Sequence, residues 1–313
     1  MRLLRSEFLR ARSRRLVPVL IIGGLIGIVV GMGIAAITAE KPSADQLAEA
    51  RARYDRQVQK CLRGDYLGPG VPVPDGYASL EEFCHASAGP QIDGIVLQDL
   101  NAIVQGISTF VILLGVLLGA SLGGADWTSN TMTTLLTWEP RRGLVFFARA
   151  LVVVVVVGGI AAFLQVTFSA VYALVAATRG STLVLPTHFV SDVGATIGRV
   201  TAMAVALGVV AYVIAMIGRS TVSSLGAVFG YLILFEGVIA GFRPSIQGSL
   251  LVRGASVIVS QQPIVDTNGS FDYSGSGSPP ILMDVPRAWA VVAVYLLVLT
   301  VLSLVQYLRR DVT

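Results

Sequence analysis

The chain alternates between long runs without a charged side chain and short stretches crowded with them. Residues 16–37 are 22 consecutive uncharged positions, enough at 1.5 Å per residue to cross about 30 Å of hydrocarbon. Comparable apolar runs cover residues 95–123, 150–178, 193–218, 221–242 and 288–308. The third opens on six consecutive valines, and the last is closed by Arg309 and Arg310. Six such runs predict an all-α polytopic membrane protein with six transmembrane helices.

The polar stretches between them predict the rest of the architecture. Residues 1–15 contain six arginines and one glutamate, with Leu4, Phe8 and Ala11 at helical spacing and Leu9 beside them. This pattern reads either as an amphipathic helix in the membrane interface or as a charged tail that only fixes topology. Residues 38–94 form an insertion between spans 1 and 2. Within it Ser43 and Gln46 make a capping box for a helix reaching about Cys61, and Ser79 with Glu82 opens a shorter one carrying Cys84. Residues 243–286 are less hydrophobic, and residues 249–260 within them are apolar but too short to cross. That length suits a re-entrant or interfacial segment before span 6. The Ser/Gly/Pro run at 274–280 reads as a loop.

Composition agrees with the pattern. Hydrophobic residues make up 54% of the 313 positions and charged residues 13%, with a mean hydropathy of +0.74. The net charge of +4 is no nucleic-acid footprint, because no basic stripe interleaved with aromatics occurs. The arginine cluster before span 1 instead sets orientation, placing both termini in the cytoplasm of a plasma (inner, cytoplasmic) membrane protein. The insertion then lies outside, where Cys61 and Cys84 are expected to form a structural disulfide; two free, partly buried thiols are the alternative.

Four polar residues fall inside spans: Gln105, Gln165, Arg199 and Glu236. Ionisable groups in a bilayer are costly and usually face a cavity or a partner. Glu236 is a candidate for a gate or substrate path, or else pairs with an arginine such as Arg199 or Arg243. Gln105 and Gln165 read as substrate-path residues or as interhelical glue. Gly115, Gly119, Gly123 and Gly124 permit close helix packing. No catalytic residue and no metal site is expected: His85 and His188 are far apart in sequence, and no H-E-x-x-H, G-x-S-x-G or C-x-x-C pattern is present. A phosphate-binding P-loop needs a lysine after glycine, whereas the two lysines, Lys41 and Lys60, both lie in the insertion. Any ATP-driven step therefore needs an ATPase on another polypeptide.

The remaining stretch, residues 124–149 between spans 2 and 3, carries Asp126–Trp127, Thr128, Asn130–Thr131, Leu135–Leu136, Pro140, Arg141–Arg142 and Arg149. By itself it reads as a capped connection, with Asp126 satisfying a helix start. Taken with Ser121 ahead of it, the series resembles the loop between spans 2 and 3 of the type-2 ABC transporter permeases. Asp126 and Asn130 stand where that family more often has Glu and Gly. The resemblance extends to the N-terminal helix, the six spans and the membrane-dipping segment before the last. It implies an exporter permease with no cofactor of its own, paired with a second copy or a homologous permease and with two ATPase subunits that hold ATP and Mg. It further implies a cytoplasmic coupling helix, with Asp126, Trp127, Thr128, Asn130, Thr131, Arg141 and Arg142 meeting the ATPase. Membrane lipid is the other expected partner, and nucleic acid is not one. The expected cargo is a hydrophobic or amphipathic molecule such as a drug, antibiotic, peptide or lipid. The rival reading is a membrane sensor whose insertion binds a ligand and signals to a cytoplasmic partner. An intramembrane enzyme or a secondary transporter built on internal repeats fits less well.

Overall fold

The computed structural model describes residues 2–39, 41–63, 79–88, 94–128, 142–182, 188–265 and 281–309. Nearly all of these residues are helical. In chain order the helices are α1 (Arg2–Ser13), α2 (Leu16–Thr38), α3 (Ala44–Leu62), α4 (Leu80–Ser87), α5 (Leu100–Thr128), α6 (Arg142–Arg179) and α7 (Phe189–Gly218). They are followed by α8 (Thr221–Tyr231), a π-helical continuation (Leu232–Ile239), α9 (Leu251–Ser260) and α10 (Val285–Arg309). Among the described residues six helices are long and apolar enough to cross a membrane, and they overlap the six runs read from the sequence.

The ends of the spans differ from the sequence expectation in an instructive way. The third begins at Arg142 rather than at residue 150 and holds 38 residues, about 57 Å of helix. Hydropathy marks where apolar residues begin, whereas a helix accepts polar and charged side chains, and Arg142 to Arg149 are helical without being uniformly apolar. Likewise α5 continues past the apolar run to Thr128.

Burial separates the spans. In the most apolar stretch of each, 67% of the fourth span, 56% of the third and 44% of the second is buried, against 17%, 11% and 6% for the sixth, first and fifth. The fourth span packs at close quarters because glycines allow it. A Cβ on Gly119 would collide with the carbonyl of Gly208, and one on Gly115 would stand 2.5 Å from the carbonyl oxygen of Ala204. The glycines of α5 thus bring its backbone against that of α7, as small residues do between membrane helices.

The chain divides into two compact units, residues 1–24, 105–165 and 196–313 in one and residues 25–104 and 166–195 in the other. In the second, α3 starts at the expected capping box, Ser43 and Gln46 exchanging both hydrogen bonds. Cys61 and Cys84 are joined, with their Cα atoms 5.6 Å apart. Tyr54, Val58 and Ala88 form a small buried cluster in the same unit, and the Tyr54 hydroxyl meets His85 Nδ1 at 2.7 Å. A closed loop of this size contributes about 3 kcal/mol by chain entropy, substantial for a pair of helices with so small a core. A parallel bridge joins Val96 and Ser181, and the Tyr172 hydroxyl donates to the Val96 carbonyl at 2.9 Å.

In the first unit, α9 is a ten-residue helix packed on α10, with Leu251, Ala255, Val257, Ile258 and Val259 buried. A two-stranded antiparallel hairpin, β1 (Ile264–Val265) and β2 (Ile281–Met283), leads into the last span. The sequence pattern assigns no strand to residues 281–283, which fall in the less hydrophobic segment 243–286 after the loop at 274–280. The signal for β2 was the short apolar run Ile281-Leu-Met ahead of Asp284, with Met283 fully buried.

Candidate functional site

Two polar constructions stand out in the first unit, one made of charges and one without any. The charged one gathers α1, the end of α5 and the start of α6. Glu7, Ala11 and Arg14 recur at i, i+4 and i+7, so one face of the N-terminal segment turns toward the spans. Glu7 and Ala11 are buried, while Phe8 and Leu9 point outward. The face that meets the protein is therefore the one carrying the single glutamate.

Asp126 is the centre of this junction. One carboxylate oxygen accepts from Arg14 Nη2 at 2.6 Å, and the other lies 2.8 Å from Arg149 Nη2. Arg14 also donates to the Ser121 carbonyl at 2.6 Å. Glu7 accepts from Arg10 at 3.0 Å and lies 3.3 Å from Arg149 Nε. Arg149 reaches both carboxylates off the line that a hydrogen bond needs, so charge rather than direction holds it. Exposure is 5% for Glu7, 7% for Asp126 and 3% for Arg149.

These charges stand where a helix alone would not favour them. Asp126 lies in the last turn of α5, at the negative end of the helix dipole, and Arg14 lies just before the positive end of α2. Burial pushes the Arg14 guanidinium below its ordinary pKa, and Asp126 beside it opposes that shift. Each charge is tolerable because of the others. Removing one member of such a buried set costs about 3–5 kcal/mol, because its partners are left uncompensated.

Trp127 stands next to the junction. Its ring meets Tyr307 edge-on at 6.4 Å, and the Arg219 guanidinium lies 5.0 Å from the ring centre. Arg219 itself occupies the left-handed region, φ 52°, in the turn between α7 and α8. Behind it Phe146 packs on Tyr307 and on Tyr212, whose hydroxyl donates to the Phe146 carbonyl at 3.1 Å. An aromatic stack thus backs the charges from α5, α6, α7 and α10.

The uncharged construction is a cavity of about 700 Å³ walled by α5, α7, α8 with its π-helical continuation, α9 and α10. Gln105, Ser108 and Thr109 line one side, Ser256 and Ser260 another, and Tyr231 and Tyr295 a third. The remaining wall is aliphatic or aromatic. Span 5 holds the N-terminus of α9 in place. The Tyr231 hydroxyl accepts from Leu251 N at 2.9 Å, and a Glu236 carboxylate oxygen accepts from Val252 N at 2.6 Å. Two otherwise orphaned helix-start amides are satisfied in this way, and Leu251 and Val252 both line the cavity.

The residues singled out from sequence separate accordingly. Asp126, Trp127 and Arg142 occupy the two helix ends flanking the loop between spans 2 and 3, and Thr128 is the last residue of α5. Asn130, Thr131 and Arg141 lie outside the described residues. Gln105 lines the cavity, and Glu236 anchors one of its walls. Gln165 is fully buried elsewhere and donates to the Thr201 hydroxyl at 3.3 Å, an interhelical contact. Arg199 donates to Thr196 at 2.8 Å. Glu7 and Arg14 were not foreseen, and Arg149 was read only as a basic residue leading into span 3. The available signal was a lone glutamate, seven residues before Arg14, in an otherwise basic segment. Among the described residues no group of three or more His, Cys, Asp or Glu could hold a metal ion.

No family model matches the chain, and no curated protein or solved structure matches it either.

Proposed function

We propose that this chain is the membrane-spanning subunit of an ATP-driven ABC exporter, working with a second copy or a homologous permease and with two separate ATPase subunits that bind ATP and Mg. In this reading both termini are cytoplasmic, α1 lies in the membrane interface and residues 124–149 carry the coupling helix. The disulfide-linked insertion faces outside, and residues 243–286 dip into the membrane before span 6.

The observation that carries this reading is the charge junction. Glu7, Arg14, Asp126 and Arg149 tie the N-terminal helix to both helix ends that flank the loop. A push on that loop would therefore move α1 and spans 2 and 3 together, since packed and ion-paired contacts switch between discrete arrangements rather than stretch. The outward-pointing Phe8 and Leu9 suit a helix whose other face meets lipid. The chain's own residues supply the path and the mechanical contact, and ATP hydrolysis belongs to the partner.

The native mass of the complex, purified through a tag on this chain expressed with its neighbouring genes, tests the proposal. Two permease chains with two ATPase chains is the expected composition. A lone chain, or one bound to a kinase, would overturn it and favour the sensor reading.

A further inference from the structure

Every residue lining the 700 Å³ cavity is uncharged, and the polar groups on its α5 wall are left open. Gln105, Ser108 and Thr109 are spaced i, i+3 and i+4 and so share one face of α5. None of the three has a hydrogen-bond partner among the described residues. The polar groups on the facing walls are partly occupied: Ser256 donates to the Arg253 carbonyl at 2.7 Å, and the Tyr231 hydroxyl is held by Leu251 N. In an apolar setting a free amide and two free hydroxyls amount to unmet hydrogen-bonding capacity on a single wall.

From this we infer that the cavity is a binding site for an uncharged amphiphile, a molecule with a mainly apolar body and a few neutral hydrogen-bonding groups. The volume lies within the roughly 300–1,000 Å³ typical of small-molecule sites. An ammonium or sulfonate group placed here would lose its water without gaining a counter-charge, a penalty of several kcal/mol. A neutral hydroxyl, amide or ester would instead satisfy the α5 wall. Glu236 does not reverse this selection, because its carboxylate is turned to the amide of Val252.

The inference rests on the exporter reading only for calling the ligand a cargo; the site itself is a property of this chain. Binding is therefore measured without nucleotide or ATPase, on the full chain in lipid nanodiscs. The probe is a long-chain alcohol bearing a diazirine, compared with its ammonium and sulfonate analogues of equal length. After irradiation, the labelled residues are mapped by mass spectrometry.

The uncharged probe is expected to label α9 and residues 105–116, and excess unlabelled long-chain alcohol is expected to compete for that labelling. The charged analogues are expected to label the same positions at least about tenfold less. Ala255→Trp, which places an indole in the cavity, is expected to reduce the competed labelling. Thr109→Lys, at an exposed position on the α5 wall, is expected to raise labelling by the sulfonate analogue several-fold. A gain of that kind cannot come from misfolding. Labelling spread over outward-facing residues such as Val294 and Leu297, indifference to charge, or an unchanged sulfonate signal in Thr109→Lys would each overturn the inference. A chain that takes the alcohol but assembles with no ATPase would leave the site standing and remove the exporter. The converse result would do the opposite.

Discussion

One helix, α5, carries two opposite solutions to the problem of polar groups in an apolar span. At its end Asp126 is enclosed by Arg14 and Arg149, and Glu7 completes the set. About 25 Å back along the same helix, Thr109 with Ser108 and Gln105 faces a cavity, and their side chains have no hydrogen-bond partner among the described residues. Charges buried in protein must find each other or they cannot stay, so the junction is paired in charge and fixes geometry. Neutral groups cost less to leave open, so the cavity wall can wait for a ligand. Paired charge marks the part that holds the fold, and open neutral groups mark the part that is available for binding.

The largest effect that would break this contrast is expected from Arg149→Met. Without Arg149, Glu7 and Asp126 lose a buried counter-charge, and the loss is expected to be about 3–5 kcal/mol. Thermal unfolding of the purified protein reads it, and a melting temperature equal to the parent's would mean that the junction is not structural. Trp127→Ala follows, removing the contacts with Tyr307 and Arg219 at a cost of about 2 kcal/mol. Under the exporter reading it is also expected to let ATP hydrolysis continue while transport falls; normal coupling would take Trp127 out of that role.

Glu236→Gln sharpens the comparison at the cavity. The amide oxygen still accepts from Val252 N but without charge assistance, a change of about 1 kcal/mol. Hydrogen exchange at the start of α9 is expected to quicken while the rest of the chain keeps its protection. Unchanged exchange there would show that the carboxylate charge does not hold the wall. The smallest effect belongs to Ser108→Ala. No protein hydrogen bond is lost, so stability is expected to stay within about 0.5 kcal/mol while labelling by the uncharged probe declines. A clear loss of stability would reveal an internal partner and weaken the contrast.

The sequence made the local features legible. Apolar runs long enough to cross hydrocarbon, three of them interrupted by a single charge at Asp99, Arg199 or Glu236, announced the six spans, and Ser43 with Gln46 announced α3, because both signals are local in sequence. The cysteine pair was legible for a different reason: the chain holds only two, and both fall in one short insertion. The junction was not legible, since Arg14 and Asp126 are 112 positions apart and nothing in either neighbourhood specifies the other. Gln105 and Gln165 looked alike in sequence, each a single amide in an apolar run. Packing alone sends one to a cavity and the other to Thr201. The start of α6 was not legible, because helicity extends beyond the apolar run to Arg142.

The wide-turned segment Leu232–Ile239 of span 5 has a geometric consequence of its own. A π-helical turn takes up more residues than an α-helical one, so it stores surplus chain within an otherwise regular rod. Each residue of an α-helix advances the side chains by about 100°. If that surplus migrated along the span by one position, the residue it passed would swing through about a quarter-turn or more, while both ends of the rod stayed in place. Glu236 sits inside this segment and holds the first turn of α9. A shift of that kind would turn the Glu236 carboxylate away from Val252 N and free the first turn of α9.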